Sequence, residues 1–335
     1  MTETIYSFVL MFDVITFGAA TRDVFLRSKA MELHREHGVM EACFVFGAKV
    51  AVEDIIFETG GGGTNNAVTF SRLGKLKTAV VTRIGGDASG EEIMRVLKRE
   101  HIATPFVQRD RNGKTGYSTI ILSREAERTI LTYRGVSSQI DSAKIPWSKI
   151  KARLFHVSSL GGNLMLMEKI VDHAKKVNAK VFWNPGNGEL AHGKAALAPI
   201  LRKVDFVSLN REEAAVLTEK KLSDLGGIIK SMKKLSAHSI VTDGEKGAYS
   251  VSSEGVLHAP VMTISRLNLT GAGDAFTSAF ALGYLMYGDP KTALSLGTLN
   301  ATNVVHHMGA KSGILRHMPS KKEILEVKVK KASLK

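Results

Sequence analysis

From residue 167 onward, apolar runs of strand length (residues 180–183, 206–209 and 239–242) alternate with amphipathic segments of helix length. Parallel strands need long, usually helical, crossovers, so this alternation demands a mostly parallel sheet covered by helices. Residues 14–17 and 78–84 fit the same sheet. A strand buried on both faces has no polar side to show. The predicted class is α/β, a three-layer, doubly wound, mostly parallel sheet.

Two stretches, residues 42–59 and 103–135, break the pattern. Phe44-Val-Phe46, Ile55-Ile-Phe57, Tyr117-Ser-Thr-Ile-Ile-Leu122 and Thr129-Ile-Leu-Thr-Tyr133 are separated by polar turns and read as antiparallel strands. They predict a small β-sheet lid over about residues 25–59 and 103–135. No fixed-period repeat, proline-rich linker or low-complexity tract intervenes, so residues 11–320 are expected to form one domain, with residues 321–335 as a basic tail.

At 335 residues and 44% hydrophobic content the chain can bury a full core, which excludes disorder as a whole. Cys43 stands alone and can form no internal disulfide. The first twenty residues lack the features of a secretory signal, so a cytoplasmic protein is expected. The early apolar stretch at residues 8–17 is interrupted by Asp13 and falls short of the roughly 20 residues of a membrane helix. Met11 would open a normal first strand, so residues 1–10 are expected to be a dispensable extension or the product of an upstream start. The formal charge of +14 invites a nucleic-acid reading, but the basic residues are dispersed, and their densest run, residues 321–335, carries no aromatic side chain to stack on a base. A solvated basic surface is expected instead.

Thr270-Gly-Ala-Gly-Asp274 precedes a helical pattern that ends at Gly288-Asp-Pro290. Small residues opening a helix make an anion site, because the first amides have no partner in a preceding turn and the helix dipole favours negative charge. Asp274 there is either a helix cap or a carboxylate that acts on whatever the amides hold. Gly60-Gly-Gly-Gly63-Thr-Asn65 precedes another helical pattern, and such a run is costly to order unless something approaches its backbone closely or it serves as a hinge. Asn210 and Glu213, after a strand, suit either a hydrated Mg²⁺ or a capping box. Val241-Thr-Asp-Gly244-Glu-Lys-Gly247 is a strand leading into a glycine turn that fits the border of a nucleotide site. His306 and His307 are adjacent, so they lie on different helix faces, which argues against a shared metal.

Taken in order, these elements resemble the ribokinase-like (PfkB) carbohydrate kinase family. Gly60 to Gly74 matches its early glycine signature and Thr270 to Asp274 its late one, about two hundred residues apart. Gly85-Gly-Asp87 with Gly90, Asn210 with Glu213, and Thr242 with Gly244 and Gly247 match landmarks between them. The resemblance runs from about Val14 to about Leu315. It implies an ATP-dependent kinase acting on a hydroxyl of a sugar or sugar-like molecule, with Asp274 as general base and Gly271, Ala272 and Gly273 as the anion hole. It further implies Asp23, Gly61, Gly62 and Asn65 at the acceptor, and Thr242, Gly244, Gly247 and Asn303 at ATP. Asn210 and Glu213 would meet Mg²⁺ through water, and a homodimer would form through the lid.

Two departures stand out. Asn268-Leu269 replaces the Asp-Thr that begins the family's late signature, so no potassium requirement is carried over. Gly62 stands where ribokinases often carry lysine, so ribose is not specifically implied. The alternatives are a nucleoside kinase of the same superfamily, which would favour aromatic lid residues such as Phe44, Phe46, Phe57 and Tyr133 around its base, and a non-catalytic sensor, which has no need of Asp274. A dinucleotide-dependent dehydrogenase is excluded because the turn after the first strand, Gly18-Ala-Ala-Thr-Arg-Asp23, lacks Gly-x-Gly-x-x-Gly.

Overall fold

A computed structural model describes residues 11–28, 32–36, 39–122, 128–262 and 269–332; residues 1–10 and Asn268 lie outside the described residues. The central sheet has ten strands. From edge to edge they are Lys330–Lys331, Gly255–Ala259, Ala248–Ser252, His238–Thr242, Phe206–Asn210, Lys180–Trp183, Ala152–Val157, Phe12–Phe17, Thr78–Gly85 and Val107–Asp110. Pairing is parallel from His238–Thr242 across to Val107–Asp110, and antiparallel through the remaining edge strands.

The period of two along each strand divides the side chains between two cores. Ile15, Phe17, Phe155, Val157, Val181, Trp183, Val207 and Val241 face one core, covered by the helices Leu164–Val177, Gly193–Leu201, Arg211–Thr218 and Leu225–Leu235. Val14, Leu154, Phe182, Phe206 and Ile240 face the other, covered by the helices Ala272–Tyr287 and Pro290–Val305. This is the three-layer, doubly wound arrangement. Its consequence is functional. The chain builds outward from Phe12–Phe17 to one side and then returns to Ala152–Val157 on the other, so the strand order reverses between these two. The crevice at their carboxyl ends is where such sheets bind ligands.

A second sheet has the order Asp54–Gly60, Thr21–Arg27, Gly116–Leu122, Arg128–Tyr133 and projects from that crevice. Its boundaries differ from the expected 25–59 and 103–135. The first lid strand begins at Thr21, directly after the first central strand. Ala103 and Val107–Asp110 join the central sheet, because the helix Ala88–Arg99 forms a crossover that delivers Val107–Asp110 parallel to Thr78–Gly85, and Phe106 packs edge-on against Phe12 with centroids 5.8 Å apart. Phe44-Val-Phe46, read as a strand, lies past the end of Val39–Cys43, which pairs with Glu32–Glu36 as a separate hairpin. Residues 321–332 of the segment expected as a basic tail pack against the domain. Lys321–Glu326 is a helix, Val327 and Val329 are buried, and Lys330–Lys331 pairs with Gly255–Ala259. The apolar valines alternate with the lysines, so the charges point out while the strand docks. No helix among the described residues is long and apolar enough to cross a membrane.

His156 lies in the second core, stacked on Phe182 at 6.2 Å and edge-on to Phe70 at 5.4 Å. Neither ring nitrogen finds a hydrogen-bond partner in another of the described residues, and burial drives the imidazole down to about 3. The folded protein therefore cannot take up the proton that the unfolded chain binds near pH 6.5. The stability tied to the neutral ring is complete above that pH and is lost as pH falls toward about 3, by about 1.4 kcal/mol per pH unit. The variant His156→Leu should show a flatter decline of melting temperature between pH 6.5 and 4.5 than the parent protein; equal slopes would show that other groups set the acid sensitivity.

Candidate functional site

The glycine run after the strand Asp54–Gly60 lies where three pieces of backbone meet. Gly61 has φ +87°, and a Cβ there would lie 2.4 Å from the carbonyl oxygen of Ala19. A Cβ on Gly62 would lie 2.7 Å from Ser158 Cβ and Oγ and 3.3 Å from Asp274 Oδ1. The close approach inferred from sequence is therefore made by the chain itself, at the carboxyl ends of Phe12–Phe17 and Ala152–Val157. The run is ordered, and the helix Gly62–Val68 begins inside it, with Thr64, Asn65 and Asn66 buried. A hinge is excluded.

Gly271 takes φ +83° as the N-cap of Ala272–Tyr287. The first-turn amides of Gly273 and Asp274 have no earlier turn to bond to, while the amide of Ala272 makes a long 3.4 Å bond to Leu269. Among the described residues a Cβ on Gly273 would meet nothing within 4 Å, so they leave open space over this helix start. Asp274 is the third residue of the helix, not its cap. Its Oδ2 accepts from Asn65 Nδ2 at 2.8 Å, joining two motifs 209 residues apart. Burial holds the Asp274 carboxyl above the usual carboxylate range; Asn65 and the charge of Lys311 oppose this, and Asp23 adds to it. Asp23, 5% exposed in the first lid strand, accepts from Thr21 Oγ1 at 2.9 Å, and burial raises its carboxyl as well.

Lys311 was not singled out from sequence. It is 3% exposed and donates to the Thr59 carbonyl and to Asn65 Oδ1, both at 2.6 Å. Burial lowers its ammonium to about 8 in spite of Asp23, Glu58 and Asp274 nearby. A lysine between small residues, in Gly309-Ala-Lys-Ser312, was the available signal, but a lone lysine in a loop is ordinarily a solvated one.

A cavity of about 490 Å³ adjoins the helix start. Thr242, Gly244 and Gly247 form one wall, Phe276, Ala301 and Val305 an apolar one, and Ala272 and Gly273 line it as well. Asn303, expected on that side, is not among the lining residues. Its amide donates to the Gly313 carbonyl at 2.7 Å and holds the loop after the helix, while Thr298 and Thr302 of the same helix face the cavity. His307 Nδ1 lies 2.8 Å from the Asn303 carbonyl, a structural contact. Asn210 and Glu213 form a full capping box at the start of Arg211–Thr218, with bonds of 2.8 and 2.9 Å, and Asn210 is the register partner of Thr242 beside the cavity. Burial raises the Glu213 carboxyl. No cluster of three or more His, Cys, Asp or Glu side chains placed to hold a metal occurs among the described residues. A lone carboxylate fits Mg²⁺, which keeps several waters and takes its other ligands from phosphate.

The family model described as pfkB family carbohydrate kinase matches residues 12–316. The chain is 27% identical over 267 residues to a deoxyribokinase of Salmonella typhi, covering 76% of this chain and 83% of that one. It is 28% identical over 237 residues to a ribokinase of Mus musculus, covering 68% and 71%. The fold matches Arabidopsis thaliana ribokinase complexed with ribose and ATP at TM-score 0.75 and 20% identity, over 95% of this chain and 98% of that one. A Burkholderia thailandensis nucleoside kinase in complex with inosine matches at TM-score 0.73 and 18% identity, over 93% and 94%.

The glycine junction yields its own test. Gly61→Ala combines a left-handed φ with a backbone clash and should cost on the order of 2 kcal/mol or more, read as a lower denaturation midpoint. A melting curve matching the parent's would mean that the junction relaxes freely.

Proposed function

We propose that this chain, which belongs to the pfkB family of carbohydrate kinases, moves the γ-phosphate of ATP onto an acceptor hydroxyl with Asp274 as the general base. The protein is an ATP-dependent phosphotransferase acting on a sugar or nucleoside hydroxyl. The observation that carries the assignment of roles is the 2.8 Å bond from Asn65 to Asp274, which puts the carboxylate between the acceptor-side glycine turn and the open helix start.

In this reading the acceptor oxygen attacks the γ-phosphorus, its proton passes to Asp274, and the bond from the γ-phosphorus to the β–γ bridging oxygen breaks. The amides of Gly271 to Gly273 and of Asp274 face the equatorial oxygens, where charge collects in a loose transition state. A carboxyl held above its ordinary range accepts a proton more readily than a solvated aspartate. Asp23, Gly61, Gly62 and Asn65 hold the acceptor, carboxylate and amide groups being suited to fixed pairs of hydroxyls. Thr242, Gly244 and Gly247 hold the nucleotide, with the apolar wall of the cavity beside its base. Mg²⁺, when bound, would offset phosphate charge, held by Glu213 and Asn210 through water.

The lid argues for a sugar acceptor over a nucleoside. Asp23 shares its register row with Glu58 and Ser118, while Phe57 is paired with Val24 and Tyr133 with Tyr117 in the alternate rows. Successive strand residues point to opposite faces, so Phe57 and Tyr133 lie on the face away from Asp23 and cannot stack on a base held there. That outer face exposes Ile55 at 47%, Phe57 at 54%, Leu131 at 58% and Tyr133 at 54%. An apolar patch of this kind suits a second copy of the chain, so the dimer forms through it.

Asp274→Asn keeps size and removes basicity. It should lower turnover by at least about a hundredfold while ATP affinity stays within a few fold, measured as ADP release with Mg-ATP across pentoses, hexoses, keto-sugar acids and nucleosides. Unchanged turnover would remove Asp274 from the reaction. For the parent enzyme, kcat/KM should fall as pH drops through the raised Asp274 value, so its acid limb lies above the ordinary 3.8. Separately, Leu131→Glu should convert a dimer to a monomer in light scattering; an unaltered mass would leave the outer face without this role.

A further inference from the structure

An asparagine amide beside a carboxylate has two orientations with opposite consequences. With Nδ2 toward Asp274 it donates; turned over, Oδ1 meets a carboxylate oxygen and acceptor faces acceptor. Asn65 itself has no means of choosing. Its other end faces Lys311 Nζ at 2.6 Å. An ammonium only donates, so it accepts no orientation but the one with Oδ1 toward itself, and Nδ2 is thereby aimed at Asp274.

The lysine is itself immobilised. Its ammonium also donates to the Thr59 carbonyl at 2.6 Å, and its own carbonyl accepts from Arg72 Nη1 at 2.5 Å. Arg72 is clamped to Glu100 by two bonds of 3.0 and 2.7 Å. The loop bearing Lys311 packs under the phosphate-side helix, since a Cβ on Gly271 would come within 2.4 Å of Ala310 Cβ. The charged groups around the ammonium are Asp23 and Glu58 from the lid, Asp274 from the helix, and Arg72 behind. The charges of these three carboxylates offset that of the ammonium.

We propose that Lys311 is a positioning residue for the phosphoryl-transfer reaction: by dictating the orientation of the Asn65 amide, it holds the Asp274 carboxylate in one pose toward the acceptor hydroxyl. The positive charge also favours the ionised base. The inference rests on Asp274 being the base, and two neutral replacements separate its parts. Lys311→Met removes both donor and charge; Lys311→Gln removes the charge but keeps a side-chain donor for Asn65 Oδ1.

The experiment measures kcat and kcat/KM against pH for the parent protein, Lys311→Met, Lys311→Gln and Asp274→Asn, with a melting curve for each. Lys311→Met should lower kcat at neutral pH by about tenfold or more and move the acid limb of kcat/KM upward by about one pH unit, with KM for ATP within about threefold. Lys311→Gln should show the same displaced acid limb but recover kcat to within about threefold of the parent on the alkaline plateau. An acid limb unmoved in both variants, with Gln no better than Met, would overturn the proposal and leave Lys311 a packing residue. Should Lys311→Met not fold, the acid limb of Lys311→Gln decides alone: displaced upward it supports the proposal, unmoved it overturns it. An active Asp274→Asn would instead sink the base assignment itself; an inactive one beside unmoved acid limbs would sink only the role of Lys311.

Discussion

Everything at the site depends on how closely the glycine turn approaches the ends of two central strands. Side chains at Gly61 or Gly62 would strike Ala19 or Ser158, and moving the turn outward would carry Asn65 away from Asp274. The contact falls where the strand order of the sheet reverses, so the crevice left by the topology is filled on one side by this turn and on the other by the start of Ala272–Tyr287. The Asp274 carboxylate is met there by Asn65 at 2.8 Å, and among the described residues the gap over Gly273 stays open, a Cβ finding nothing within 4 Å.

Burying charge in that gap is expensive, and the structure balances it internally. Asp23 and Asp274 are both raised by burial, Lys311 is lowered by it, and Glu58 adds a further carboxylate beside the ammonium. A lysine with no partners would not stay charged in such a place, and two carboxylates alone would compete for one proton. Together they form a network in which each group holds another in a usable state. Arg72 and Glu100 extend it to the end of the helix Ala88–Arg99, tying the lysine's loop to the frame of the domain.

The lid serves this site with one face only. Phe25, Ile120 and Leu122 pack inward with Ile56 and Met308, in the rows that also carry Asp23 and Glu58, while the outer rows carry exposed aromatic and aliphatic side chains. Because the first lid strand follows the first central strand after only Gly18, Ala19 and Ala20, a displacement of the lid would be felt at Asp23 directly.

Much of this was readable in the chain alone. Residues 180–183 appear as a strand at the same bounds, and the other central-sheet strands read from sequence within two residues, because apolar runs between amphipathic segments are a local pattern that a covered parallel strand satisfies. The glycine turn and the amide-rich helix start were equally visible, since a turn and a helix cap are written in a few adjacent residues. What the sequence did not settle involves partners far apart. Val107–Asp110 is too short to announce which sheet it joins, and the basic tail docks because of two valines whose burial depends on the sheet edge they meet. The capping-box and metal readings of Asn210 and Glu213 use the same atoms and differ only in what approaches them. Lys311 belongs to the site through bonds spanning 252 and 246 residues, and no local pattern encodes contacts of that length. The sequence by itself determined the order of elements and the chemistry available at the two glycine turns, because these follow from local sterics and periodicity; which side chains bond to one another and feel one another's charge was decided by the tertiary structure, because burial and orientation exist only once the chain has closed.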